Sequence, residues 1–405
     1  MDSRRQFLEK AAAVAAALGT NTAMGQTAQN TARAEKSFTN PGPQNATLVP
    51  INPSSNLPPA TDHGTVPPIW YSFDLAHRRV QGGGWTHQVT ERELPSSKEL
   101  AGVNMRLERG AYRELHWHLA DEWAIMLSGK ARVTLLTPTG EMFIDDVGVG
   151  DLWIFPAGMP HSIQGIGDDG CEFLLVFNQG SFSEESTFLL SDWLKHTPPE
   201  VIAKNTGLSL ESVAKLPKGD PLYIFPGQVP GALDADRAEA GRHAAKPAKQ
   251  YTFKASAMKP TFSNAKGDVK IVDVKNFPAS PKISGGIVTL KPGGMRELHW
   301  HPNASEWQFW ISGQGRMTVF NAREDARTMD FRAGDVGYVP AMAGHYIENT
   351  GTDDLHFLEL FPAGEFQEMS LNKWLRALPQ QIAMAHTNLS ADEIARIPDK
   401  ADPIL

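Results

Sequence analysis

The hexapeptide Arg113-Glu114-Leu115-His116-Trp117-His118 occurs twice, returning 183 positions later as Arg296-Glu297-Leu298-His299-Trp300-His301. A chain that repeats a motif at such a distance is built from two similar units. A glutamate follows each copy, Glu122 and Glu306, and a third histidine comes later, His161 and His345. In a β-strand alternate side chains share a face, so both histidines of His-Trp-His look one way and the tryptophan the other. Joined by a carboxylate and an imidazole from neighbouring strands, they make a mixed nitrogen and oxygen site. Four protein ligands around a six-coordinate ion leave two positions open for water or substrate. That suits Mn(II), Fe(II) or Ni(II) better than a closed tetrahedral zinc, and ligand type alone does not choose among them. Core or surface histidines without a metal would explain a lone His-x-His, but not two copies of one four-residue set.

The flanking segments carry the period of strands. Val103, Met105 and Leu107 alternate before the first copy and Ala131, Val133 and Leu135 after it, with turn residues such as Pro138-Thr139-Gly140 between them. Gly315 to Phe320 repeats this order in the second half. An all-β chain follows, and 405 residues suffice for two cores. A formal charge of −8 with no basic cluster gives no support for nucleic acid binding. The single cysteine, Cys171, excludes an intramolecular disulfide, and its place beside Phe173 to Phe177 marks a buried structural thiol.

At the N-terminus, Ser3-Arg4-Arg5-Gln6-Phe7-Leu8 resembles a twin-arginine export signal, followed by an apolar stretch from Ala11 to Leu18 that is too short to span a bilayer. Residues 1–25 are expected to be a removed leader, giving an exported protein, periplasmic or secreted, without a membrane span. Residues 26–60 have linker composition. The expected organisation is an N-terminal domain over 61–230, an Ala-rich bridge over 231–249 and a C-terminal domain over 250–405. Helical segments close each half, and Ser390 and Glu393 have the spacing of a capping box.

The motif residues are those of a known family. Gly110, His116-Trp117-His118, Glu122 and Gly129 are spaced as in the first cupin motif, which Gly293, His299-Trp300-His301, Glu306 and Gly313 match again. Gly150, Pro156-Ala157-Gly158 and His161 resemble the second motif, as do Gly334, Pro340-Ala341-Met342, His345 and Asn349. Gly165 replaces the usual closing asparagine in the first copy and Met342 the usual glycine in the second; neither is a ligand. The resemblance implies two tandem cupin barrels (double-stranded β-helix, or jelly roll), each holding a metal, with short helices at the end of each. More narrowly, the chain after the leader resembles the oxalate decarboxylases. That likeness implies oxalate as substrate, manganese as the metal in both halves, dioxygen as co-catalyst, and a homo-oligomer, trimer or hexamer. Oxalate would be converted to formate and carbon dioxide without net redox change. An oxalate oxidase giving carbon dioxide and hydrogen peroxide, or a non-catalytic bicupin binding metal or carboxylate, are the alternatives.

Comparing the halves suggests roles. The offset is 184 at His161/His345 and Phe177/Phe361 but 181 at Trp193/Trp374, so the first half has three extra residues between Phe177 and Trp193. They fall on Ser181-Phe182-Ser183-Glu184-Glu185-Ser186-Thr187, which resembles the family's mobile lid, whereas the second half has only Gly364 to Glu368 there and is expected to lack a lid. Glu184 is the expected proton donor, and a like charge on Glu185 is expected to favour the protonated form of one of the pair. Arg113 and Arg296, each three residues before a ligand histidine, are expected to orient a carboxylate substrate. Glu359, a carboxylate in the apolar strand Phe357 to Phe361, should face the second metal cavity, as a rival proton donor or as a structural partner of Arg296. Trp117 and Trp300, on the faces away from the ligands, are packing residues of the core or of a subunit contact.

Overall fold

The computed structural model describes residues 43–405. The expected leader and most of the expected linker lie outside the described residues. Residues 43–61 form a small unit of their own, in which the helix Pro53–Asn56 opens on Asn52, whose side chain accepts from the Ser55 N–H.

From Asp62 onward the chain folds into two β-barrels. The alternating segments of the first half become the strands Ala101–Leu107, Tyr112–Trp117, Glu122–Leu136, His161–Gly165 and Cys171–Phe177, all paired antiparallel. Their inward residues, Val103, Met105, Leu107, Ala131, Val133 and Leu135, are buried, as the period-2 pattern requires. The second half repeats the order with Ser284–Leu290, Met295–Trp300, Glu306–Ser312, Gln314–Phe320, Gly344–Asn349 and Leu355–Phe361. Together with Trp70–Ser72 of the first half, its strands divide into two sheets of seven and five, the sandwich of a jelly roll. Among the described residues no helix is long and apolar enough to cross a membrane.

Each half also contributes a strand to the other barrel. Trp70–Ser72 pairs with Asp335–Val339 of the second barrel, and Thr252–Phe253 pairs with Leu152 and Trp153 of the first. Trp307, Phe309, Val336 and Tyr338 join the core of the first half, while Trp310, Met317, Val319, Phe331 and Phe357 form a second core within the C-terminal barrel. At this junction the Trp307 ring occupies the space where a Cβ on Gly102 would stand, 2.4 Å from its nearest atom, and only glycine admits that approach. The bridge is ordered by its charges. Its helix Leu233–Ala240 is tied to the first barrel by Arg237 with Asp145 at 2.8 Å and by Asp236 with Arg132 at 2.6 Å. Helices at Leu190–Lys195, Pro199–Thr206 and Leu210–Val213 close the first half, and Leu371–Ala377, Gln380–Thr387 and Ala391–Arg396 close the second. Ser390 and Glu393 form the reciprocal capping box that their spacing implied. Met342 adopts the left-handed conformation (φ 64°) that Gly158 supplies in the first half (φ 77°), so the turn survives loss of the glycine at a cost in backbone strain.

Candidate active site and metal centres

The ligand histidines come together because strand pairing places them opposite one another. His116 is the cross-strand partner of His161, and His299 that of His345. Glu122 and Glu306 open the next strand of each barrel. The donor atoms of His116, His118, Glu122 and His161 all lie within 4.8 Å of one another, as do those of His299, His301, Glu306 and His345, and all eight residues are buried.

Hydrogen bonding prepares these groups for a cation. Nδ1 of His116, His118 and His161 lies 2.5, 2.7 and 2.8 Å from the carbonyls of Glu114, Ala120 and Met159. In the second half the partners are the carbonyls of Glu297, Gln367 and Ala343, at 2.6, 2.7 and 3.0 Å. A carbonyl only accepts, so each Nδ1 carries the proton and each Nε2 offers its lone pair to the centre. Glu122 Oε1, His161 Nε2 and His301 Nε2 are buried without a hydrogen-bond partner. Nε2 of His301 is 2.9 Å from Glu306 Oε2 yet makes no hydrogen bond with it, an arrangement of donors converging on a common point. Burial, and then the charge of Arg113, hold His116 well below the ordinary imidazole pKa, in the neutral form a metal needs. Burial would raise Glu122, but the imidazoles of His118 and His161 outweigh it and bring it to about 2. The donor set therefore fits a divalent cation in each barrel.

Around this shared centre the halves differ. Strict alternation would turn Arg113 away from His116, three residues on. A bulge between Arg113 and His116, repeated between Arg296 and His299, removes one step of alternation and brings each arginine to the ligand face. In the first half Arg113 lies 3.9 Å over the ring of Tyr223, and its buried Nη1 has no partner. Glu114 does not pair with Arg113, because its carboxylate accepts from the N–H groups of Ser191 (2.6 Å) and Tyr223 (2.8 Å). In the second half Arg296 is fully committed: Nε donates to Glu359 at 2.8 Å, Nη1 to the Pro403 carbonyl at 2.8 Å, and Nη2 to Glu368. Glu359 thus stands as the buried partner of Arg296.

Glu184 is buried in the lid. Its Oε1 accepts from the Tyr223 hydroxyl, its Oε2 from Thr86 at 2.9 Å, and its N–H donates to Gln88 at 3.1 Å. Phe182 anchors the same loop by stacking on Phe177 at 3.6 Å between centroids. Burial is the largest influence on Glu184 and raises its pKa, while Arg113, Tyr223 and Thr86 pull the other way. Glu185 is exposed and is not among these influences, so burial rather than the neighbouring carboxylate favours the protonated acid. Tyr223 is raised well above 10 by burial and by Glu184, and keeps its proton.

Several of these partners are not evident in the sequence. Tyr223 follows the helices that close the first half, held at φ 51°, and Ile224 pairs with Arg113 as Ile404 pairs with Arg296, which places Pro403 where the second half would carry the phenol. The 181 offset of Pro217 and Pro398 sets Tyr223 against Ile404, one residue from the register that the strand pairing adopts, so alignment of the chain end alone does not reveal it. Thr86 and Gln88 lie on the strand Gly84–Val89, whose counterpart Gly267–Val272, offset by 183, carries Val269 and Ile271 at those positions, so comparing the two strands would have marked them. Cys171 is buried, and burial pushes its thiol up to about 12, which fits a structural residue.

Comparison with known proteins agrees with this geometry. The cupin family model matches residues 72–214 and again 253–395. The chain is 51% identical over 360 residues to the oxalate decarboxylase OxdC of Bacillus subtilis, covering 89% of this chain and 92% of that enzyme. This chain belongs to the oxalate decarboxylase family of cupins. A probable oxalate decarboxylase of Arthroderma benhamiae is 40% identical over 342 residues, covering 84% of this chain and 83% of that one. A solved structure of the Bacillus subtilis oxalate decarboxylase, studied for its Mn(II) centres, superposes with a TM-score of 0.88 at 48% identity over 92% of this chain and 98% of that one. Within this family fold, the two halves share their ligand set and differ in the residues that face it.

Proposed function

We propose that the chain is a manganese-dependent oxalate decarboxylase whose reaction takes place in the first half. The observation that carries this reading is the pairing of a buried, uncommitted Arg113 with a buried acid, Glu184, beside a three-histidine, one-glutamate centre. A manganese ion held by His116, His118, Glu122 and His161 would polarise oxalate and, with dioxygen, supply the one-electron chemistry that loosens its C–C bond.

The chain's own residues do the rest. Arg113 Nη1 is free to hold a carboxylate, and the guanidinium rests on the Tyr223 ring, 3.9 Å from its centroid. Phe182 against Phe177 closes the lid and keeps out water that would compete for the proton. Conversion of oxalate dianion to formate and carbon dioxide breaks the C–C bond, forms one C–H bond and consumes one proton. Glu184 supplies that proton, and Tyr223 and Thr86 hold its two oxygens in place. Manganese-loaded protein given oxalate under air at mildly acidic pH should release one formate per oxalate consumed. Peroxide in place of formate would make it an oxidase, and neither product would remove oxalate as the substrate.

The same reading extends to assembly. Leu115, Phe188 and Trp193 are exposed around Trp117 in the first half, and Leu298, Met369 and Trp374 around Trp300 in the second. Equivalent but unlike apolar patches suit head-to-tail association into a closed ring of copies. Trp193→Asp should shift the mass measured by light scattering from oligomer to monomer; a monomeric wild type would refute the association.

A further inference from the structure

The expectation that the second half lacks a lid is corrected by the placement of Glu368. Phe361, Phe366 and Glu368 each lie 184 positions after Phe177, Phe182 and Glu184. Phe366 packs on Phe361, edge to face at 5.2 Å between centroids, as Phe182 packs on Phe177. Beyond the glutamate the offset drops: Met369 pairs with Trp300 as Phe188 pairs with Trp117. The three residues missing from the second half therefore correspond to Glu185, Ser186 and Thr187, most of the short turn that follows the lid acid. The acid itself is kept, one residue before the strand Met369–Ser370.

Its partners differ from those of Glu184. The Glu368 carboxylate is bonded to Arg296 Nη2, and its Oε2 lies 3.7 Å from Nε2 of the ligand His299. It thus bridges the guanidinium and the imidazole centre, where a bound carboxylate would stand in the first half. Pro403 leaves no phenol to hold the acid back as Tyr223 holds Glu184. The charges agree. With a divalent ion and protonated Glu184, Arg113 and Glu122 leave two net positive charges in the first cavity, which complements a dianion. In the second, Glu359 and Glu368 cancel them.

We infer that Glu368 is an internal stand-in for substrate, and that the second half holds a latent site for a small monocarboxylate which the chain keeps filled with its own side chain. Removing Glu368 leaves one net positive charge between Arg296 and the centre, matched to formate or acetate rather than to oxalate. The inference rests on the carboxylate chemistry proposed for the first half.

The test is formate binding to the manganese-loaded protein, by equilibrium dialysis with labelled formate and with metal content measured alongside. Wild type should bind one formate per chain and E368A two, both retaining two metal ions. Formate should also raise the melting temperature of E368A more than that of wild type, because it replaces the missing carboxylate. E368A with two ions and a single formate would overturn the inference. If E368A fails to load both metals, E368Q decides. It keeps the side-chain volume but loses the ion pair, and is expected to admit the second formate about ten times more weakly than wild type binds the first; one formate only would again overturn the inference. Wild type that binds none would count instead against the carboxylate reading of the first half.

Discussion

Glu184→Gln is expected to lower formate production from oxalate by about 10²- to 10⁴-fold, the usual range for loss of a positioned general acid, while two metal ions remain bound per chain. The amide has nearly the same shape, so Tyr223 can still donate to its oxygen and Phe182 can still seat the loop. What it lacks is a proton to give. The pH dependence follows from the direction of the shift. Burial raises Glu184 above the ordinary carboxylate value of 4.5, so the neutral acid is the form the closed lid prefers. That contribution to closure is complete below the ordinary value and fades as pH rises through the raised one. Wild-type activity should therefore fall on an alkaline limb lying above the usual carboxylate range, and the residual rate of the glutamine variant should lack that limb. The measurement is formate release against pH for both proteins, with metal content determined on the same samples. Normal turnover in the variant would remove Glu184 from the mechanism.

The second large effect separates two arginines that the sequence presents as twins. Arg113→Leu should lower kcat/KM for oxalate by about two orders of magnitude, since truncating a buried group that pairs with a charge costs about 2–5 kcal/mol. Its melting temperature should change little, because the free Nη1 has no partner to orphan. Arg296→Leu should do the reverse. It leaves Glu359 and Glu368 without their cation in a buried setting, and breaking a buried pair in this way costs about 3–5 kcal/mol. The expected result is a marked drop in melting temperature and loss of metal from the second half. Turnover per correctly folded first site should be retained. Thermal melts, metal analysis and kinetics on the two variants test this, and matching phenotypes would refute the asymmetry.

The asymmetry also bears on why duplicated sites diverge without losing their ligands. The glutamates are placed by strand pairing, and His116, His161, His299 and His345 by strand pairing and by backbone carbonyls that the two barrels share; only the second histidine of each motif differs, His118 bonding to Ala120 and His301 to Gln367. Among the groups that face them, the two halves differ at one strand position, where Glu359 stands for Leu175, and in a loop and a chain end, where three residues fewer and Pro403 in place of Tyr223 bring Glu368 onto Arg296. Loops tolerate such changes because their backbone makes few ladder hydrogen bonds.

How much of this was legible beforehand depends on the range of the interaction. The repeated hexapeptide, the alternation of Val103, Met105 and Leu107, and the spacing of Ser390 and Glu393 are local patterns, and local geometry alone carries them into strands, ligand faces and a helix cap. Sequence therefore determined the two barrels and all eight convergent ligands. It did not determine which way Arg113 points, because a bulge between paired strands overrides alternation, and bulges are properties of the pair. Nor did it indicate that burial rather than Glu185 raises Glu184, that Tyr223 and Thr86 hold the acid, or that Glu368 fills the second cavity. Each of those depends on which distant segments are packed together and on how much water they exclude, and only the folded chain decides that.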